Sequence, residues 1–151
     1  MSGLMGDIGA KSGRITPARH GLDYDEGTWT PVVSSGGSMG TVQYARYVRI
    51  GNVCNVSAYM QMTGNSGSAQ VFSGLPYKTI NHVTGSLHSS AAAFPTQSSI
   101  CRTEDFSYNI FFYYHNGGQV AITGNHLING HLMFNITYIT GDPISVIGHT
   151  T

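Results

Sequence analysis

The sequence predicts an all-β domain, a β-sandwich or jelly-roll-like module, and three observations predict it. From residue 28 onward apolar and polar residues alternate with period two, the spacing of a strand with one face buried. In the clearest run Cys54, Val56, Ala58, Met60 and Met62 point one way, and Asn55, Ser57, Tyr59 and Gln61 the other. Turn signals rich in Gly, Asn and Ser separate these runs at short intervals. No stretch carries the helical period, and 20 glycines in 151 residues disfavour helices.

The elements follow in order. Residues 1–25 carry little β pattern, and Gly3, Gly6, Gly9 and Gly13 interrupt any helix, so this part reads as a connector. Thr28–Val33 is a first short strand and Ser34–Gly40 a loop. Thr41–Ile50 is a strand, turned at Gly51-Asn52 into Val53–Met62. Gly64–Ser68 turns the chain into Ala69–Ser73, which ends at Gly74-Leu75-Pro76. Thr79–His88 is a further strand. His88–Arg102, rich in Ser, Ala, Pro and Gln with no firm period, reads as a long loop. Phe106–His115 is a strongly aromatic strand. Asn116-Gly117-Gly118 returns it into Gln119–Thr123 as a hairpin. After the connection Gly124–Asn129, Gly130–Ile139 is the last strand, with Leu132, Phe134, Ile136 and Tyr138 on one face. Pairing stops at Gly141-Asp142-Pro143. The domain therefore spans residues 26–140, between the connector 1–25 and a C-terminal tail 141–151, and the length suits one domain.

Composition excludes several classes of partner. Charged residues make up 9% of the chain, against a usual share of about 25%. A formal net charge of zero argues against nucleic acid, whose phosphates need a basic face, and against a polybasic membrane contact. Apolar runs such as Asn109–Tyr114 are too short to span a bilayer. Met1–Arg14 lacks the apolar core of a signal peptide, so an extracellular protein of this sequence is expected to leave its cell by lysis or assembly. Two cysteines are too few for a disulfide scaffold. Cys54, at an inward position, reads as a buried reduced thiol; a Cys54–Cys101 disulfide is the less favoured alternative.

Catalysis needs a paired acid and base. Glu104 and Asp105 are neighbours, and on an extended chain they point to opposite faces. Asp23 and Asp25 can share a face, at a separation near the roughly 5–9.5 Å of glycosidase pairs; acidic residues in a turn or a subunit contact are the simpler reading. There is no G-x-S-x-G, no Gly-rich phosphate loop ahead of a helix, and no Cys with an evident His and acid partner. No catalytic residue and no cofactor is expected. Among the seven histidines there is no H-x-H or H-E-x-x-H, and no C-x-x-C occurs. His115, His126 and His131 read as scattered surface or edge residues rather than metal ligands.

Binding asks for less. Aromatic faces hold the C–H surfaces of sugars, and Asn, Asp, Arg and His bond their hydroxyls. Phe111, Tyr113 and His115 alternate with Ile110, Phe112 and Tyr114, so both faces of this strand are aromatic. One face meets the core; the other must meet a partner subunit, another sheet or a ligand. Arg102, Glu104 and Asp105 gather three charges in a charge-poor chain, and read equally as a recognition loop or a structural salt bridge. The candidate ligand-binding residues are therefore Arg102, Glu104, Asp105, Tyr113, His115 and Asn116. Trp29 and Phe111 are expected in the core or at a subunit contact.

Four stretches carry a resemblance. Leu22-Asp23-Tyr24-Asp25-Glu26-Gly27-Thr28-Trp29-Thr30-Pro31 resembles the "L-D-x-Y-E-E-G-T-W-T-P" opening of receptor-binding tip domains of trimeric tail fibres in tailed phages and prophages. Tyr44–Gly51 (YARYVRIG) resembles their "Y-x-x-Y-x-x-I-G" strand, Gly74-Leu75-Pro76-Tyr77 their "G-L-P-F/Y" step, and Phe134–Thr140 (FNITYIT) their last strand. The motifs occur in the family's order over roughly residues 22–140. Between Tyr77 and Phe106 the sequence departs from the pattern. The resemblance implies a homotrimeric, non-enzymatic β-sandwich at the end of a virion or cell-surface fibre. It implies binding to bacterial surface polysaccharide or lipopolysaccharide, with residues 1–25 as a shaft stub. The alternatives are a polysaccharide-cleaving tail-spike hydrolase, a structural trimerisation or capping module, and the tip of a bacterial adhesive fibre. A trimer axis can also gather three copies of one histidine.

Overall fold

The computed structural model describes residues 24–64 and 66–143. The expected connector, except its last two residues, and the tail beyond Pro143 lie outside the described residues. The described chain is antiparallel β throughout, with one 3-10 turn at Gly124–His126. Its strands are β1 (Tyr24–Thr28), β2 (Val32–Ser35), β3 (Met39–Ile50), β4 (Val53–Met62), β5 (Val71–Ser73), β6 (Thr84–Ser89), β7 (Ser99–Thr103), β8 (Ile110–His115), β9 (Gln119–Ala121) and β10 (His131–Ile139). The sheet runs β1-β3-β4-β10-β6-β7-β8-β5-β2, with β9 paired to β8.

The two ends of this path are β1 and β2, which are joined by only Trp29, Thr30 and Pro31. Four steps of extended chain span at most about 14 Å. The sheet must therefore curl to bring its edges together, and it forms a half-barrel. This link corrects the single strand expected over Thr28–Val33. Trp29 turns inward, where it is 7% exposed, and its backbone N–H donates to the Ala45 carbonyl. Pro31 offers no N–H to a ladder. The chain thus leaves one edge and starts the other.

The alternation read from the sequence orients the sheet. Cys54, Val56, Ala58, Met60 and Met62 of β4, and Leu132, Phe134, Ile136 and Tyr138 of β10, are buried inside the curl. Phe134 meets Trp29 at 6.2 Å, Phe72 at 6.3 Å and Phe112 at 5.4 Å between ring centroids. Such aromatic pairs contribute about 0.5–1.5 kcal/mol each beyond their burial. Gly85 lets β6 approach β10 closely: a Cβ there would strike the Asn135 carbonyl and Ile136.

Three other expectations change, the first being the strand expected over Thr79–His88, which begins only at Thr84, with Thr79 in an isolated bridge to Thr140. The segment expected as a loop, His88–Arg102, ends in β7, which pairs with both β6 and β8. Its period is hidden because an inward position is polar: Thr103 is fully buried, donating to the Asn81 carbonyl (3.0 Å) and accepting from the Val83 N–H (3.2 Å). The aromatic strand starts at Ile110 rather than Phe106, because Phe106 takes a left-handed φ of 52° in the preceding turn. Cys54 and Cys101 are buried free thiols, and burial pushes Cys101 up to about 12. Thiols held protonated in this way are unreactive.

The end at which the described chain begins and finishes is closed by a polar knot. Arg49, 3% exposed, donates to the carbonyls of Gly51 and Asp142 and lies 4.2 Å from the centre of the Tyr77 ring. Asp25 accepts hydrogen bonds from Tyr47 (2.9 Å) and from Tyr77. The Tyr138 hydroxyl donates to the Tyr77 carbonyl (3.0 Å), and the Asp142 carboxylate accepts the Lys78 N–H (2.6 Å). Burial first, and then the bond to Asp25 and its charge, hold Tyr47 and Tyr77 above the usual phenol range. The knot draws residues from all four stretches quoted above.

Candidate functional site

Directly opposed residues of antiparallel strands share a face, so the ladders define the outer surface. Ser57, Asn135, Ser86, Ile100, Tyr113 and Ala121 form one rung across β4, β10, β6, β7, β8 and β9. Tyr59, Met133 and His88 form a rung on one side of it. Thr84, Arg102, Phe111 and Val71 form a rung on the other.

Arg102 sits at the middle of this surface on β7. Its guanidinium lies 4.7 Å from the Tyr113 ring centre. It donates to Glu104 Oε1 (3.2 Å), the Tyr113 hydroxyl (3.3 Å) and Gln119 Oε1 (3.2 Å). The Glu104 carboxylate neutralises the cation and fixes its plane. Beside this cluster a hollow of about 170 Å³ opens between Ser98, Ile100, Tyr113, Tyr114, His115 and Gln119. His115 stands at its rim, with its backbone N–H donating to the Ser98 carbonyl (3.0 Å).

The structure thus brings together four of the six expected binding residues: Arg102, Glu104, Tyr113 and His115. Asn116 lies one residue on, in the exposed turn after β8, and donates its N–H to the Gly118 carbonyl. Asp105 faces away, 3.6 Å from His82, near the other end of β7. Phe111 is half-buried on the outer face opposite Arg102, whereas Trp29 is in the core. The carboxylates weighed for catalysis are held apart: Asp25 by two phenols, Glu104 by Arg102, Asp105 beside His82. Asp23 lies outside the described residues. His126 closes the 3-10 turn by accepting the Thr123 N–H (3.0 Å), and His131 packs on Tyr59 at 5.3 Å. Among the described residues no three His, Cys, Asp or Glu side chains gather as a metal site would need.

Two further hollows were not expected from the sequence. One, of about 300 Å³, lies over β4, β10 and β6, between Tyr44, Ser57, Met133, Asn135 and His88. The other, of about 550 Å³, lies between β6 and the 91–99 segment, walled by His88, Phe94, Pro95, Thr96 and Gln97. Leu87 and His88 line both. The one legible signal was Phe94-Pro95, an aromatic and a rigid residue inside an otherwise small, polar stretch. No Asp, Glu, Lys or Arg lines any of the three hollows.

The hollows beside His115 and the 91–99 segment sit at one end of the strands, and the Arg49 knot at the other. Ser90 bonds the His131 carbonyl at the start of β10, while Ile139 at its finish pairs with Val53 beside the Gly51-Asn52 turn. The chain matches no protein-family model and no curated protein.

Proposed function

We propose that this chain is a non-enzymatic receptor-binding module, the β-sandwich tip of a homotrimeric fibre, which recognises bacterial surface polysaccharide or lipopolysaccharide on its outer sheet face. The observation that carries the reading is the outer face itself. It offers aromatic rings, amides and hydroxyls around three hollows, and its one central cation is neutralised by Glu104. Saccharides are held by such surfaces, through C–H contacts with rings and hydrogen bonds to hydroxyls.

Placement supports the same reading. The hollows beside the 91–99 segment and His115 lie at the end opposite Tyr24 and Pro143, as a distal tip requires. The exposed apolar residues Ile50 (51%), Val53 (41%) and Phe106 (68%) lie towards the terminal end, which would attach to the rest of the fibre. The four resembling motifs support the family, and they do so only as short stretches. Trimerisation matters energetically: a single site near ~1 mM corresponds to about −4 kcal/mol, and linked copies raise apparent affinity by roughly 10²–10⁴.

The test is binding of the fluorescently labelled protein to a panel of bacterial cells, with and without competing surface polysaccharide. Selective binding that the polysaccharide competes away is expected, with sedimentation at the mass of a trimer and no rise in reducing ends. Release of reducing ends would replace this reading with the hydrolase, and absence of binding to every strain would replace it with a structural trimerisation or capping module.

A further inference from the structure

We infer that the two hollows flanking β6 are one groove that holds an extended, uncharged saccharide, with His88 at its midpoint. This rests on the outer face being the saccharide site, and it names both the ligand class and its position.

The geometry is continuous. Leu87 and His88 form a wall of each hollow, so a ligand lying in one leads into the other. From Tyr44 on β3 to His88 on β6 the face crosses three inter-strand spacings, roughly 14 Å. That length takes more than one sugar ring. The two volumes, about 300 and 550 Å³, lie in the range of roughly 300–1,000 Å³ usual for ligand sites.

The chemistry is set in advance of binding. Tyr44 is 41% exposed and braced edge-on by Tyr59 at 6.0 Å, so a ring face stands ready at one end. His88, at the midpoint, packs edge-on to Phe94 of the second hollow at 6.5 Å. Asn135 is fixed by reciprocal amide bonds with Asn55, at 3.0 and 3.2 Å. Side chains held by their neighbours lose little entropy on binding.

Charge selects the ligand. A uronate or phosphate in this groove would lose water without meeting a lining cation, which is costly for a formal charge. Arg46, opposite Ser57, stands at the margin and is not part of the lining. Arg102 is committed to Glu104. A neutral saccharide meets rings, amides, hydroxyls, imidazole and the aliphatic surfaces of Leu87, Met133 and Ala92.

The experiment uses bacterial surface polysaccharides separated by anion exchange into neutral and acidic pools. Each is titrated onto the full chain and onto His88→Ala, Ala92→Arg, Arg46→Gln and Tyr113→Ala, with melting curves as folding controls. His88 and Ala92 are both exposed, so these variants are expected to fold. The neutral pool is expected to bind, with less than about a twofold change between roughly 50 and 500 mM salt. His88→Ala should weaken it about tenfold, Ala92→Arg should block it, and Arg46→Gln should leave it unchanged. Salt-sensitive binding of the acidic pool, lost in Arg46→Gln, would overturn the uncharged ligand. Neutral binding that survives His88→Ala and Ala92→Arg but is lost in Tyr113→Ala would overturn the groove and leave the outer-face reading standing. Binding of neither pool would overturn both.

Discussion

Two arginines in this molecule make nearly the same contacts to opposite ends. Arg49 and Arg102 each lie over a tyrosine ring, at 4.2 and 4.7 Å, and each stands near a carboxylate-bearing residue. Arg49 is sealed in, and its hydrogen bonds go to the backbone carbonyls of Gly51 and Asp142. Those bonds tie the β3–β4 turn to the last described residues, so they hold the fold together. Arg102 bonds only to side chains on an open sheet face, beside a hollow. The same group acts as a fastener where it is itself buried and its acceptors are main chain, and as a presented surface where it is more open and they are side chains.

The largest expected effect is on Arg49. Arg49→Ala leaves two partly buried carbonyls without their donor, removes the guanidinium stacked on the Tyr77 ring and opens a cavity, and is expected to cost about 3 kcal/mol. Urea midpoints at constant slope measure it. If Arg102→Ala costs as much, the contrast between the two arginines fails.

Alkaline pH separates the buried interior from the face in another way. Cys101 is raised from 9.0 to about 12 by burial, and Cys54, Tyr47, Tyr77 and Tyr138 are raised as well. A group with a raised folded value stays protonated in the fold while the unfolded chain loses its proton. Its contribution is whole below the unfolded value and is lost as pH rises towards the folded one. Stability is therefore expected to fall from about pH 9 towards 12, by up to about 1.4 kcal/mol per pH unit from Cys101, with the other raised groups steepening the decline. Cys101→Ala should make the slope shallower by one proton's worth. A slope unchanged in Cys101→Ala would show that this thiol does not carry the effect.

Asp25→Asn sharpens the comparison at the knot. It replaces two charge-assisted bonds from phenols by neutral ones, and is expected to cost about 1–2 kcal/mol. The alkaline decline attributed to Tyr47 and Tyr77 should also become smaller, because their folded pKa values fall towards the unfolded one, which sets its onset and does not move. A thermal melt at neutral pH and a pH titration of stability read the two effects.

The smallest stability effect is expected at the site. Arg102→Ala should cost less than about 1 kcal/mol, because its partners are side chains at an open surface. Its binding effect should be larger, since Tyr113 and Gln119 lose the group that orients them. A tenfold loss of polysaccharide binding at an unchanged melting temperature is the expected pair of results.

The contrast also explains what could be read in the sequence. The strands of the scaffold were legible because their inward positions are apolar, as in Cys54–Met62 and Leu132–Tyr138. The knot was visible only as residue types: Asp25, Arg49, Tyr77 and Tyr138 lie far apart in the chain, and only folding shows that they converge. At the site, Arg102, Glu104, Tyr113 and His115 stood out because charges are scarce and the strand is aromatic on both faces. Their meeting depends on β7, which escaped notice because Thr103 puts a hydroxyl where the pattern calls for an apolar group. The groove at His88 was hidden for the reason that hid the knot. Its walls come from β3, β4, β10 and β6 and from the 91–99 segment, and no local period records neighbours so distant in sequence.

The most direct test of the central claim is a titration of the isotope-labelled protein with the neutral polysaccharide pool, followed through its backbone amide resonances. Shifts are expected on the outer-face residues Ser86, His88, Ile100, Arg102 and Tyr113 and in the 91–99 segment, with Arg49, Gly51 and Asp142 unmoved. Shifts centred on the Arg49 end, or no shifts under conditions in which cells bind the protein, would contradict a receptor site on the outer face.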